Sequence, residues 1–206
     1  MTTNVQQHAS SKPATGRGGT AVCIASAVLA AATFPVIGNS LRPVPGVDTT
    51  ALFADAAGRL QLASVLGVLA SAGLFLAAAR LAQQVPGIGG KVAGLAGGAV
   101  ALMLGIYVAV FSAGSIVAGQ MLEAPGPGVG EAALVALNMA DLARYAPSLA
   151  LVVTVVLCRR HLPKSVVVTA GVLAVMFLVP MTSWIAAILT PVWLGLAGAG
   201  VLVRRS

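Results

Sequence analysis

"QLASVLGVLASAGLFLAAARLAQQVPGIGGKVAGLAGGAVALMLGIYVAVFSAGSIVAG" occupies residues 61–119. Two apolar blocks, 61–82 and 92–119, flank the turn "QQVPGIGGK" (83–91), which carries Pro, several Gly and one Lys. Crossing the ~30 Å hydrocarbon core of a bilayer takes about 20 apolar residues in a helix. Each block is long enough, and the Pro/Gly turn stops one helix and starts the next. The stretch therefore reads as a transmembrane helical hairpin.

Working outward, the same pattern repeats. Residues 20–38 form an apolar block too long for a signal-peptide core and lacking a small-x-small cleavage site after it, so a retained span is expected. The polar, turn-rich residues 1–19 read as a disordered tail. In the loop 39–61, Asp48 or Thr49 is placed to cap a helix running on into the second block. On that helix Asp55 and Arg59 lie four apart, acid first, as a solvated surface pair. After the acidic Pro/Gly loop 120–131 comes a fourth block, 132–158, closed by the basic turn "RRHLPK" (159–164). Residues 165–203 then hold two short spans, 165–180 and 184–203, around "VPMTS" (179–183). The expectation is an all-α integral membrane bundle of six transmembrane helices over residues 20–206.

Composition agrees. Of 206 residues, 58% are hydrophobic and 8% charged, against roughly 45–50% and 25% in soluble domains. The net charge of +7 reports orientation rather than a nucleic-acid surface, because the basic residues sit in short loops. Lys12, Arg17, Arg80, Lys91, Arg159, Arg160, Lys164, Arg204 and Arg205 fall on one side of a six-pass layout, and Arg42 and Arg59 on the other. This places both termini in the cytoplasm of a multi-pass protein of the cell membrane. Arg outnumbers Lys, and Ala, Gly and Val abound, a composition of high-GC bacterial genomes.

Small residues recur every four positions: Ala63, Gly67 and Ser71; Gly94 and Gly98; Ser115 and Gly119; Gly195 and Ala199. They are expected to let helices touch within the molecule. Cys23 and Cys158 read as small apolar packers, Trp184 as an interface anchor and Trp193 as a packer. Pro180 and Pro191 are expected to bound or kink the last helices.

The sharpest chemical feature is "NMADLARYAPS" (138–148), with Asp141 and Arg144 inside an apolar block. Asp and Arg each cost about 2.5–3.5 kcal/mol at a span's centre, while each Leu or Val returns about 0.3–0.6. The eleven Leu and Val from Leu134 to Leu157 thus return roughly 3–7 kcal/mol, so insertion is near balance. On a continuous helix Glu131, Asn138, Asp141, Arg144, Tyr145 and Ser148 fall within roughly 140° of arc. Such a stripe should face the bundle or a recess open to the outside. Asn138, Asp141, Arg144 and Tyr145 are the candidate lining, with Gln61, Ser115 and Gln120 as neighbours. A mutual Asp141–Arg144 pair that only fixes helix rotation is the structural alternative.

No His/Glu cluster for a metal, no imidazole pair for haem and no GK[ST] phosphate loop is present, so no cofactor or metal is expected. Without a nucleophile and base in reach of each other, an enzyme is disfavoured. The expected function is a non-enzymatic accessory protein, or a binder of lipid or another amphipathic ligand. The expected partners are membrane lipid and, in the accessory reading, another membrane protein. The alternative is a small proton-coupled transporter using Asp141 and Arg144, against which stands the lack of an evident broken helix pair.

The stretch "CRRHLPKSVVVTAGVLAV" (158–175), a basic turn with Leu-Pro opening a helix, resembles an uncharacterised bacterial six-span membrane protein family, domain of unknown function 4386. The external "DTTALFADAAGRLQLASVLGVLA" (48–70), the short turn after the second span and the closing hairpin are similar too. Asp141 and Arg144 depart from that pattern. The resemblance implies six spans and no particular activity.

Overall fold

The computed structural model describes residues 17–37, 49–120 and 129–202. They form seven α-helices and one 3-10 turn, with no strand among the described residues. The helices are α1 (Arg17–Ile37), α2 (Thr49–Gln84), α3 (Gly87–Gln120), α4 (Val129–Ala143), α5 (Tyr145–Leu157), α6 (Lys164–Leu178) and α7 (Pro180–Gly198), with the 3-10 turn at Arg159–His161. α1, α2, α3, the end of α4 with α5, and α7 are long and apolar enough to cross a membrane; α6 is apolar but shorter.

The spans lie antiparallel in chain order, α4 and α5 together forming one of them, and one end of the bundle gathers the start of α1, the end of α2, the start of α3, the end of α5 and the start of α6. There Arg80 Nη1 donates to Thr20 Oγ1 at 3.3 Å, Cys158 Sγ lies beside Gly89, and the Ser165 hydroxyl donates to the Leu202 carbonyl. Both described chain ends therefore sit at the same end, together with Arg80, Lys91, Arg159, Arg160 and Lys164.

Large apolar side chains lie on both sides of the helices. Ala30, Ala63, Ala70, Ala77, Ala101, Ala170, Ala186 and Ala197 are fully buried beside Leu60, Leu74, Leu81, Leu151 and Leu194, whereas Val28, Val65, Leu69, Leu95, Val168 and Leu178 are exposed. Lipid tails are as apolar as Leu, so nothing drives large side chains inward; close backbone approach and hydrogen bonds hold the helices instead. A Cβ at Gly67 would stand 2.4 Å from Val108 Cγ1, and one at Gly198 2.6 Å from Ala77 Cα. Ser64 donates to the Val108 carbonyl at 2.8 Å and Ser71 to the Ala101 carbonyl at 2.7 Å. Ala63, Gly67 and Ser71 are thus packed within the molecule, as expected, and so is Gly195, whose Cβ would meet Ala27 and the Cys23 carbonyl. Gly98 meets only Phe75, at ordinary contact distance, and the side-chain surroundings of Ser115 and Gly119 lie outside the described residues.

Several boundaries differ from the sequence reading. α1 begins at Arg17, inside the expected tail, whose residues 1–16 lie outside the described residues. α2 runs from Thr49 as one helix of 36 residues and α3 has 34, about 54 and 51 Å long. Both exceed the ~30 Å core. The α2–α3 turn is reduced to Val85 and Pro86, with Gly87 at φ 68°, a conformation a Cβ would disfavour. The expected turn at 179–183 is only Val179. Proline drives the preceding residue out of the helical region, and Val179 is extended at φ −99°, ψ 113°. Pro180, with φ preset for a helix, then opens α7 at its first position. Pro191 sits inside α7 without ending it.

Trp193 is buried and its Nε1–H donates to Thr169 Oγ1 at 2.9 Å, tying α7 to α6. Cys23 is buried, Cys158 half-buried, and both are free thiols. Asp55 and Arg59 are exposed.

Candidate functional site

The fourth span is not the continuous helix assumed for the polar arc. Pro147 has no N–H for the Ala143 carbonyl, and its ring crowds that oxygen. α4 accordingly stops at Ala143 and α5 starts at Tyr145. Arg144 between them keeps a near-helical backbone, φ −72° and ψ −18°, and its carbonyl accepts from Ser148 N–H at a long 3.3 Å. The span loses one helical hydrogen bond there.

At this interruption the Arg144 side chain turns into the bundle and is 9% exposed. Its guanidinium carbon lies 5.0 Å from the Tyr107 ring centroid, 5.5 Å from Phe34 and 5.9 Å from Tyr145. A desolvated cation–π contact is worth about 2 kcal/mol or more. Two or three such faces, about 4–6 kcal/mol together, outweigh the roughly 2.5–3.5 kcal/mol that an Arg costs at a span's centre, so aromatic rings make the charge tolerable here. The rings support one another: Phe34 and Tyr107 are 6.3 Å apart, and Tyr145 meets Phe177 edge-on at 6.1 Å.

Arg144 and Tyr107 border a recess of about 480 Å³ whose walls come from α1 (Ala31, Phe34, Pro35, Ile37) and α7 (Trp184, Ile188, Leu189, Val192). Beneath the guanidinium, Ser148, Leu104 and Pro191 close the floor around a void of about 10 Å³, at the lower limit for one water. The recess is therefore an apolar-walled cleft with one fixed cation. Its volume lies in the range of about 300–1,000 Å³ usual for small-molecule sites.

Of the residues singled out from sequence, Arg144 reaches the recess, and Tyr145 stands behind it, half-buried against Phe177. Asn138 is exposed and takes no part in the lining, and Gln61 is exposed on α2. Asp141 lies on α4, but its side chain, like those of Glu131, Ser115 and Gln120, is outside the described residues. Ser148 is buried under Arg144. Trp184, read as an interface anchor, is half exposed and also lines the recess. Phe34, Tyr107 and Pro147 were not anticipated. The signals existed: a proline three residues after an intramembrane arginine, and aromatic rings at matching depth on other helices.

No protein-family model matches the chain, and neither a curated protein nor a solved structure does.

Proposed function

We propose that the protein is a non-enzymatic bacterial membrane protein that binds an amphipathic ligand with an acidic head, the head at Arg144 and the apolar part next to it against α1 and α7. The observation that carries this reading is a nearly buried guanidinium at the edge of an otherwise apolar recess. Guanidinium presents a planar fork of donors that fits a carboxylate or phosphate, and apolar walls suit an alkyl group. In nanodiscs, a brominated fatty acid should quench Trp184 at concentrations where its methyl ester does not. Equal quenching by acid and ester would count against a role for the charge.

Both termini are cytoplasmic in this reading, since the basic residues Arg80, Lys91, Arg159, Arg160 and Lys164 gather at the end where the described residues begin, at Arg17, and finish, at Leu202. A fluorescent reporter fused after Ser206 should then glow, whereas a phosphatase active only outside the cytoplasm should stay silent; the reverse outcome would turn the recess inward.

A second reading is a proton-coupled transporter using Asp141 and Arg144. The interruption of the fourth span at Arg144 favours it, because broken helices mark substrate sites in several transporter folds. Substrate flux driven by a pH gradient and lost in Asp141→Asn is its signature.

A further inference from the structure

We infer that the ligand at Arg144 is a single-chain acidic lipid entering sideways from the leaflet beside the α6–α7 turn, its acyl tail lying in a groove between α6 and α7. This rests on the proposed acidic-head site and adds what the rest of the ligand is and where it lies.

The groove, about 320 Å³, is lined by Val172, Leu173 and Met176 of α6 and by Leu189, Val192 and Leu196 of α7. Leu189 and Val192 also line the Arg144 recess, so the two depressions share a wall. No charged residue lines the groove, and its one polar pair, Thr169 and Trp193, is bonded to itself. The chemistry thus runs from a cation at one end to continuous hydrocarbon at the other, the order of groups in a fatty acid or lysophospholipid. Charge complementarity at Arg144 fixes which end is the head.

Height agrees. α5 has 13 residues, so Arg144 stands about 20 Å above the basic end of the bundle. α6 has 15 residues, about 22 Å, which is short of the ~30 Å core. A span that short draws the membrane surface down toward its own end. The α6–α7 turn, with exposed Leu178, Met181 and Trp184, then lies level with Arg144. Lipid heads beside α6 and α7 reach the guanidinium without crossing hydrocarbon. From there the tail follows α7 toward Leu196.

Two tryptophans report on this path separately. Trp184 lines the recess and Trp193 the groove, nine residues apart on α7, or about 13 Å along its axis. In Trp184→Phe only Trp193 emits. A fatty acid brominated at its methyl end should then quench strongly, and one brominated beside its carboxyl weakly. In the unaltered protein the carboxyl-side bromines should add quenching through Trp184. The positional difference should disappear in Arg144→Gln. Carboxyl-side and methyl-end bromines quenching Trp193 equally, with the acid still preferred over its ester, would overturn the groove while leaving the acidic-head site standing. If neither acid is preferred over its ester, both fall. Lysophosphatidic acid displacing the brominated acid would show that a phosphate head is accepted; failure to displace would narrow the head to a carboxylate.

Discussion

Arg144→Gln removes half or more of the ligand-induced stabilisation while leaving the ligand-free bundle folded. A ligand present at 100 times its dissociation constant stabilises a native protein by about 2.7 kcal/mol. Hydrogen bonds to a charged group contribute about 1.5–3 kcal/mol, so loss of the guanidinium should weaken binding roughly 10- to 150-fold and remove about half to nine-tenths of that shift. The unliganded protein should melt near its original temperature, because the substitution also removes the cost of desolvating a cation. Arg144→Lys keeps the charge but not the fork and should fall between the two. If Arg144 only fixed the rotation of the fourth span, by pairing with Asp141, the pattern would differ. Melting temperature would drop equally with and without ligand, and Asp141→Ala would drop it too.

The largest loss of stability is expected from Gly198→Val. A Cβ there would stand 2.6 Å from Ala77 Cα and 2.7 Å from its carbonyl oxygen. These are backbone atoms of α2 that no rotamer change can move, so α7 must back away. Overpacking costs about 1–3 kcal/mol and sometimes more, and in a protein of this size each kcal/mol shifts the midpoint by about 2–4 °C. Gly171, with nothing within 4 Å of its Cβ position, is the control, and Gly171→Ala should melt like the unaltered protein. Thermal unfolding in detergent, followed by intrinsic fluorescence, reads both. Equal behaviour would mean that α2 and α7 do not touch.

Much of the fold was legible because lipid imposes simple demands. The apolar blocks marked the helices, Asp48 or Thr49 the start of α2, and the Ala63, Gly67 and Ser71 stripe a face packed within the molecule, which the structure sets against α3. Trp193 was read as a packer and is one. Which face of most helices turns inward was not legible. Where core and surroundings are both apolar, periodicity carries little information, and buried Ala77 and exposed Leu76 look alike to any hydropathy pattern. The site was half legible. Arg144 announced itself as a charge in hydrocarbon, but the polar arc assumed an unbroken helix, and Pro147 interrupts it. Phe34 and Tyr107 come from helices 110 and 37 residues before Arg144 in sequence, and no local spacing links them. Asn138 was included for its angle on that ideal helix and is exposed instead. The resemblance to a six-span family implied topology and could not supply the site.

The most direct test is mass spectrometry of the intact protein released from native nanodiscs. One acidic single-chain lipid should be retained by the unaltered protein and absent from Arg144→Gln. Neutral or zwitterionic two-chain lipids should appear equally on both, as solvating shell. An acidic lipid retained to the same extent by both proteins, or none retained by either, would contradict the acidic-head site at Arg144.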